Sequence, residues 1–266
     1  MPTPQIQNDP IYSLPFLYAS GLTISVASNT TLSISAGQCR DSNDIMDIVI
    51  GSAPLDGGTT TAPVTLNTAV VGANGIDTGI LVASKVYAVY AIGDSRYYQL
   101  PATLLSLASN SVPTMPFGYD SYRLIGYAVT DGSVHFLPAY ISGNGNSRLF
   151  TYDAPQATAV VTGNATSYAS GGVVLTTLVP PVNNTPVTIQ SDFSANAAAD
   201  TLKMQGYSST GDAVTIIAAT AAGTAHTYTS SIVLAQLNSA APTINYKLST
   251  GSAAVALIVA GFQFYI

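Results

Sequence analysis

Side chains able to do chemistry are few in this chain, and their spacing argues against each reaction in turn. The densest cluster is Asp41-Ser42-Asn43-Asp44-Ile45-Met46-Asp47, with oxygen ligands alternating on Asp41, Asn43 and Asp47. An EF-hand calcium loop needs an oxygen where Ile45 stands, a glycine where Met46 stands and a glutamate downstream. The stretch therefore reads as a solvated turn leading into a strand. His135 and His226 lie in different halves of the chain, and Cys39 is the single cysteine, so neither zinc-ligand spacing nor a disulfide is available. Gly206-Tyr207-Ser208-Ser209-Thr210-Gly211 misses G-x-S-x-G by one residue and lacks the strand-turn-helix elbow that would expose a nucleophile. Gly143-Asn144-Gly145 has no third glycine at the spacing of a phosphate loop. Glycosidase chemistry needs two carboxylates about 5–10 Å apart across a groove. All 13 acidic residues are Asp, and spacing singles out no pair. The expectation is a protein that is not an enzyme, with no catalytic, cofactor-binding or metal-binding residue.

Aromatic side chains are the remaining signal, 16 Tyr and 7 Phe with no Trp. Tyr offers a large rigid face with a polar tip, which suits protein interfaces and core packing as well as sugar stacking. In Tyr87-Ala88-Val89-Tyr90 a period of two sends Tyr87 and Val89 to one face and Tyr90 to the other, and adjacent Tyr97 and Tyr98 point oppositely if extended.

The elements that must position these groups read as strands. Charged residues make up 8% of the chain, against about 25% in an ordinary soluble domain. The 28 Ser and 30 Thr supply the polarity instead. Without Glu there is little to coat an exposed helix, whereas Thr, Val, Ile and Tyr suit strands and Asp, Asn, Gly and Pro suit turns. Fourteen β-rich runs separated by turn clusters are expected, among them Leu22–Val26, Thr31–Ser35, Ile45–Ile50, Val86–Ile92, Val134–Tyr140 and Ala254–Ile266. The one helix candidate is Ala102–Ala108 after Pro101. Ser252–Ile266 is uncharged but shorter than the roughly 18–20 apolar residues that span a bilayer, so it reads as a buried strand and no membrane partner is expected. Met1–Pro10 lacks a basic segment followed by an apolar run, which argues against a cleaved signal peptide. A net charge of −6 with seven scattered basic residues argues against nucleic acid.

A boundary is expected near residue 155, where the loop Ser142–Ser147 and the segment Tyr152-Asp153-Ala154-Pro155 precede a drop in charge. The division is 1–155 and 156–266. The second part holds only Lys203, Lys247, Asp192, Asp200 and Asp212, so little charge repulsion protects it from association. It is expected to bury much of its surface in an assembly. Arg40 beside Asp41, and Asp120 three residues before Arg123, are expected to pair locally or across strands.

Four segments together resemble a known family: Ile34–Ser42 (ISAGQCRDS), Gly72–Gly79 (GANGIDTG), Val86–Ile92 (VYAVYAI) and Pro116–Gly126 (PFGYDSYRLIG). The series is similar to a family of tailed-bacteriophage virion structural proteins, which carry a "GANGLDTG"-like turn, a tyrosine-rich strand and a "P-x-GYD-x-(Y/F)-R-x-IG" segment in that order. Ile76 replaces the commoner Leu. The second part looks like the jelly-roll modules of head cement and fibre proteins.

The resemblance implies an all-β chain of two β-sandwich, jelly-roll-like modules with very little helix. It implies an accessory head component, a capsid decoration or cement protein or a head fibre, found in the virion after assembly in the host cytoplasm. The partners would be further copies in a homotrimer and the major capsid protein or tail and collar proteins. The alternative is a tail-fibre or receptor-binding module that recognises host-surface glycans through Tyr faces and Asp and Asn hydrogen bonds.

Overall fold

The computed structural model describes residues 17–51, 62–110, 112–143, 147–162, 173–182, 185–194, 200–206, 214–217, 225–234, 242–249 and 254–266. Among these residues every regular element is a strand, so the chain is all-β. Contacts divide it into two compact units, Met1–Phe150 with Phe264–Ile266, and Thr151–Gln263. The segment Tyr152–Pro155, beside which the boundary was expected, lies inside one long strand that the division between the units crosses. Composition changes there while the backbone stays extended, because Tyr152 packs inward and alternation continues through Asp153.

The first unit holds β1 (Ala19–Gly21), β2 (Ile24–Ser28), β3 (Thr31–Ile34), β4 (Gly37–Arg40), β5 (Asp47–Ile50), β6 (Val64–Asn67), β7 (Gly75–Ile76), β8 (Val86–Gly93), β9 (Ala102–Leu107), β10 (Ser121–Val129), β11 (Ala139–Ser142) and the start of β12 (Ser147–Thr162). Three hydrogen-bonded sets result: β1-β4-β5, β10-β8-β9-β7, and β12-β11-β2-β3-β6. Period-two alternation explains the shared core. Leu32 and Ile34 of β3 are fully buried while Thr31 and Ser33 are half-buried, and Ile24, Cys39, Ile48, Leu66, Val89 and Leu105 join them from neighbouring strands. Every residue of β8 is buried. Tyr87 and Val89 enter this core while Tyr90 takes the other face, edge-on to Tyr122.

Ala102–Ala108, expected as a short helix, is the strand β9. Its Ala and Leu favour helix, but six residues cannot sustain one unaided. Burial decides the outcome: β9 lies between β8, antiparallel with Ile92 opposite Ala102 and Tyr87 opposite Leu107, and β7, parallel with Gly75 opposite Leu104. Leu104 and Leu105 point to opposite faces and both are fully buried. Part of the expected strand Val134–Tyr140 is a turn instead. Asp131 Oδ1 accepts the amides of Ser133 and His135, and Val134 takes a φ of 66°.

The second unit holds the rest of β12, then β13 (Val173–Val174), β14 (Thr185–Ser194), β15 (Thr201–Gly206), β16 (Val214–Ile217), β17 (Ala225–Leu234), β18 (Thr243–Leu248) and β19 (Ala254–Tyr265). Its strands are ordered β17-β14-β19-β12 and β13-β18-β15-β16. Counting the eight strands from β12, these orders are 6-3-8-1 and 2-7-4-5. That is the jelly-roll arrangement, a long hairpin rolled so that first pairs with last, second with seventh, third with sixth and fourth with fifth. The antiparallel pairings β14 with β17, β15 with β16 and β13 with β18 follow it. Leu202, Met204, Ile244, Val187, Ile189, Leu257 and Val259 form the inward-facing set, each fully buried.

Candidate protein-contact surface

The acidic cluster is built as structure. Asp41 Oδ1 accepts the amides of Ile45 and Met46 at 2.6 and 3.0 Å, and Asp47, opposite Arg40 in the β4–β5 register, accepts from Arg40 Nη1 at 3.0 Å. Asp44 accepts the Leu17 amide, and its carbonyl takes Arg40 Nη2. These oxygens are directed at protein donors. Among the described residues no group of three His, Cys, Asp or Glu gathers in metal-ligand fashion. His135 is half exposed with Nδ1 3.8 Å from Asp131 Oδ2, while the side chain of His226 and the loop Tyr207–Gly211 lie outside the described residues. Cys39 is buried, and desolvation pushes its thiol up to about 12, against the opposing pull of the Arg123 and Arg148 charges. Arg40 pairs across strands as expected. Asp120 does not pair with Arg123; it accepts the Ser95 amide and hydroxyl at 2.8 and 2.5 Å. Arg123 is buried within β10, while the Asp120 carboxylate just before that strand is taken up by Ser95 and Ser121.

The motif Gly72–Gly79 turns on two anchors that the sequence placed only locally, the half-buried Asn74 and the buried Asp77. Asn74 Oδ1 accepts from the Thr103 amide and hydroxyl, and Asp77 Oδ2 accepts the Ser106 hydroxyl at 2.6 Å and the Thr114 amide at 3.1 Å. The loop is thus tied to β9 and to the segment leading into Pro116.

Two further loops meet where β8 ends and β9 and β10 begin. Asp94 is buried and gathers the amides of Arg96, Tyr98 and Gln99 with Arg96 Nε. Burial pushes its carboxyl up, but these donors outweigh it and hold the group below the usual range. Asp120 is likewise held low, burial being outweighed by Ser95 and Ser121. Tyr119 Oη donates to the Leu100 carbonyl at 2.9 Å, the Gly118 backbone lies against Gln99, and the Asp120 amide donates to Gly93. These bonds fix the backbone and leave large apolar groups outside: Phe117 is 100% exposed, Leu100 86% and Tyr98 80%. Arg96 lies over the Tyr98 ring, 5.9 Å from its centroid. Large apolar side chains held in water on hydrogen-bonded loops that meet one another are the kind of group a protein-contact surface uses. Aromatic and Arg groups are also the commonest anchors of binding energy. Sequence patterning missed the patch because Phe117 and Leu100 interrupt no strand alternation.

Elsewhere in the first unit a small apolar hollow between β2, β3, β10 and β11 is lined by Ile24, Leu32, Tyr127, Ile141 and Phe150.

No family model matches the chain, and no curated protein matches it. Among solved structures it is similar to one described as the structure of infectious bursal disease virus, Gx strain. The identity is 12% over 93% of this chain and 74% of that one, with a TM-score of 0.17. A superposition that loose carries no argument about fold or function.

Proposed function

We propose that this chain is a structural protein of a tailed-bacteriophage virion, an accessory head component of the decoration, cement or head-fibre kind. It works by protein–protein contact and catalyses no reaction. The supporting observation is the exposed set Tyr98, Leu100 and Phe117, held outward by the carboxylates of Asp94 and Asp120. Holding large apolar side chains in water on a rigid frame is costly for a free monomer and suits docking onto another virion protein. The partner is the major capsid protein or a tail or collar protein, and copies of the chain associate as a trimer through the lightly charged second unit. The test is binding to particles that lack the protein. Phe117→Asp and Leu100→Ser should lose particle binding at least tenfold with unfolding midpoints unchanged, and undiminished binding would refute the assignment of this surface.

A second reading, a tail-fibre module for host-surface glycans, draws on the same exposed rings, since Tyr98 and Phe117 could stack on sugar faces with Arg96 at the rim. A glycan array decides it, because specific binding abolished by Tyr98→Ala would favour that reading over capsid docking.

A further inference from the structure

Asn74–Gly75 is the one Asn-Gly pair among the described residues. Asparagine followed by glycine is the pair most open to self-modification, because no side chain keeps the glycine nitrogen away from the asparagine carboxamide. Here nucleophile and electrophile are both committed elsewhere. The Gly75 amide donates to the Gly72 carbonyl at 2.9 Å, and Asn74 Oδ1 accepts the Thr103 amide at 3.0 Å and hydroxyl at 3.2 Å. The main chain of Asn74 is pinned as well, its amide to the Thr103 carbonyl at 2.7 Å and its carbonyl to the Asn67 amide at 2.8 Å. A φ of 59° at Asn74 completes a turn in which Gly75 lies against the Val70 carbonyl.

We propose that Asn74 is a deamidation site kept shut by the docking of the Gly72–Gly79 loop on β9, and that the reaction proceeds only when this loop lifts away. In that reaction the Gly75 nitrogen bonds to Asn74 Cγ, the Cγ–Nδ2 bond breaks, and Nδ2 leaves as ammonia with the Gly75 amide proton. Water then opens the cyclic imide. Attack at Cγ gives aspartate, and attack at the main-chain carbonyl gives isoaspartate, whose main chain runs through the β-carbon and is a methylene longer. The two products have different fates. Aspartate keeps an oxygen for the Thr103 donors, whereas the longer main chain of isoaspartate cannot preserve the bonds to Asn67 and Thr103 while Gly75 stays against Val70. A local opening that ends in isoaspartate is therefore permanent.

The test follows the full chain at mildly alkaline pH, in buffer and in guanidinium chloride, by mass-spectrometric peptide mapping that separates aspartate from isoaspartate. Asn144–Gly145, the other Asn-Gly pair, supplies in denaturant the rate of an unprotected site in the same chain. Asn74 should approach that rate in denaturant and convert at least about tenfold more slowly in buffer. Thr103→Val removes one donor to Oδ1 and should speed conversion in buffer by roughly twofold to tenfold, with the rate in denaturant unchanged. Amide exchange at Asn74 should accelerate by the same factor. No conversion in denaturant, conversion as fast in buffer as in denaturant, or a Thr103→Val rate equal to that of the unaltered chain would each overturn the assignment. The comparison of buffer with denaturant needs no variant, so it stands even if Thr103→Val fails to fold. None of these outcomes depends on the particle-binding experiment.

Discussion

Arg148 Nη1 donates to the carbonyl of Leu22 at 3.1 Å, a bond closed across 126 residues of chain. The same nitrogen reaches the Ile125 carbonyl at 3.3 Å, and Nη2 reaches Gly21 at 3.0 Å. One side chain at the start of β12 therefore ties the turn between β1 and β2 to the middle of β10. Leu22 holds a φ of 57°, so two of the carbonyls that Arg148 satisfies, those of Gly21 and Leu22, belong to a turn with an unfavourable backbone.

Arg148→Met should destabilise the protein by roughly 3–5 kcal/mol, since it strands these carbonyls in a packed interior. Arg148→Lys should recover less than half, because an ammonium cannot reproduce the planar fork. Urea midpoints at constant m-value measure both.

The loops beneath the apolar patch should loosen in acid. Asp94 and Asp120 have folded-state pKa values below those of the unfolded chain, so their contribution is present above about pH 4 and is lost as pH falls through the lower folded values. Amide exchange of Tyr98 and Gln99 should accelerate below pH 4 before the rest of the first unit responds. In Asp94→Asn that acid-specific step should disappear. Uniform protection down to global unfolding would contradict the role given to these carboxylates.

At alkaline pH the same linkage runs through Cys39. Its folded pKa of about 12 exceeds the unfolded value near 8.5, so stability should fall as pH rises from about 8.5, by up to about 1.4 kcal/mol per pH unit. Tyr90, raised by burial to about 12, adds to the loss only above about pH 10. Between those limits Cys39→Ala should show a flat profile. Thiol labelling at pH 8 should require denaturant.

Two glycines of the Gly72–Gly79 motif should respond differently to alanine. A β-carbon on Gly75 would collide with the Val70 carbonyl, backbone that cannot swing aside, and Gly75→Ala should cost more than about 3 kcal/mol. Gly79 has a φ of 74° and open space around it, so Gly79→Ala should cost only about 1 kcal/mol of backbone strain. Similar losses at both sites would mean the close approach of Gly75 to Val70 is not fixed.

Legibility followed a simple division. Strands that present one face to a core, such as β3, declared themselves by alternation. β9 did not, because both its faces are covered and alternation vanishes when Leu104 and Leu105 are buried alike. The Gly72–Gly79 turn was visible from its glycines, but the partners of Asn74 and Asp77 were not, since Thr103 and Ser106 lie 29 residues further on. Arg123 was the plainest surprise. Proximity to Asp120 in sequence suggested a pair, and strand geometry sends the two side chains to different surroundings. The contact surface was hidden for a related reason: which apolar residues stay outside is settled by the loop hydrogen bonds, not by local composition.

The rolled-hairpin order of the second unit sets a schedule for its biosynthesis. β12, the first strand made, takes its place beside β19, the last, and β13 waits for β18. Nascent chain emerging from the ribosome can zip only the innermost pair, β15 with β16, and then work outward. The part of β12 that belongs to the second unit lacks its β19 neighbour until β19 has been synthesised, so that strand edge stays open while most of the unit is made.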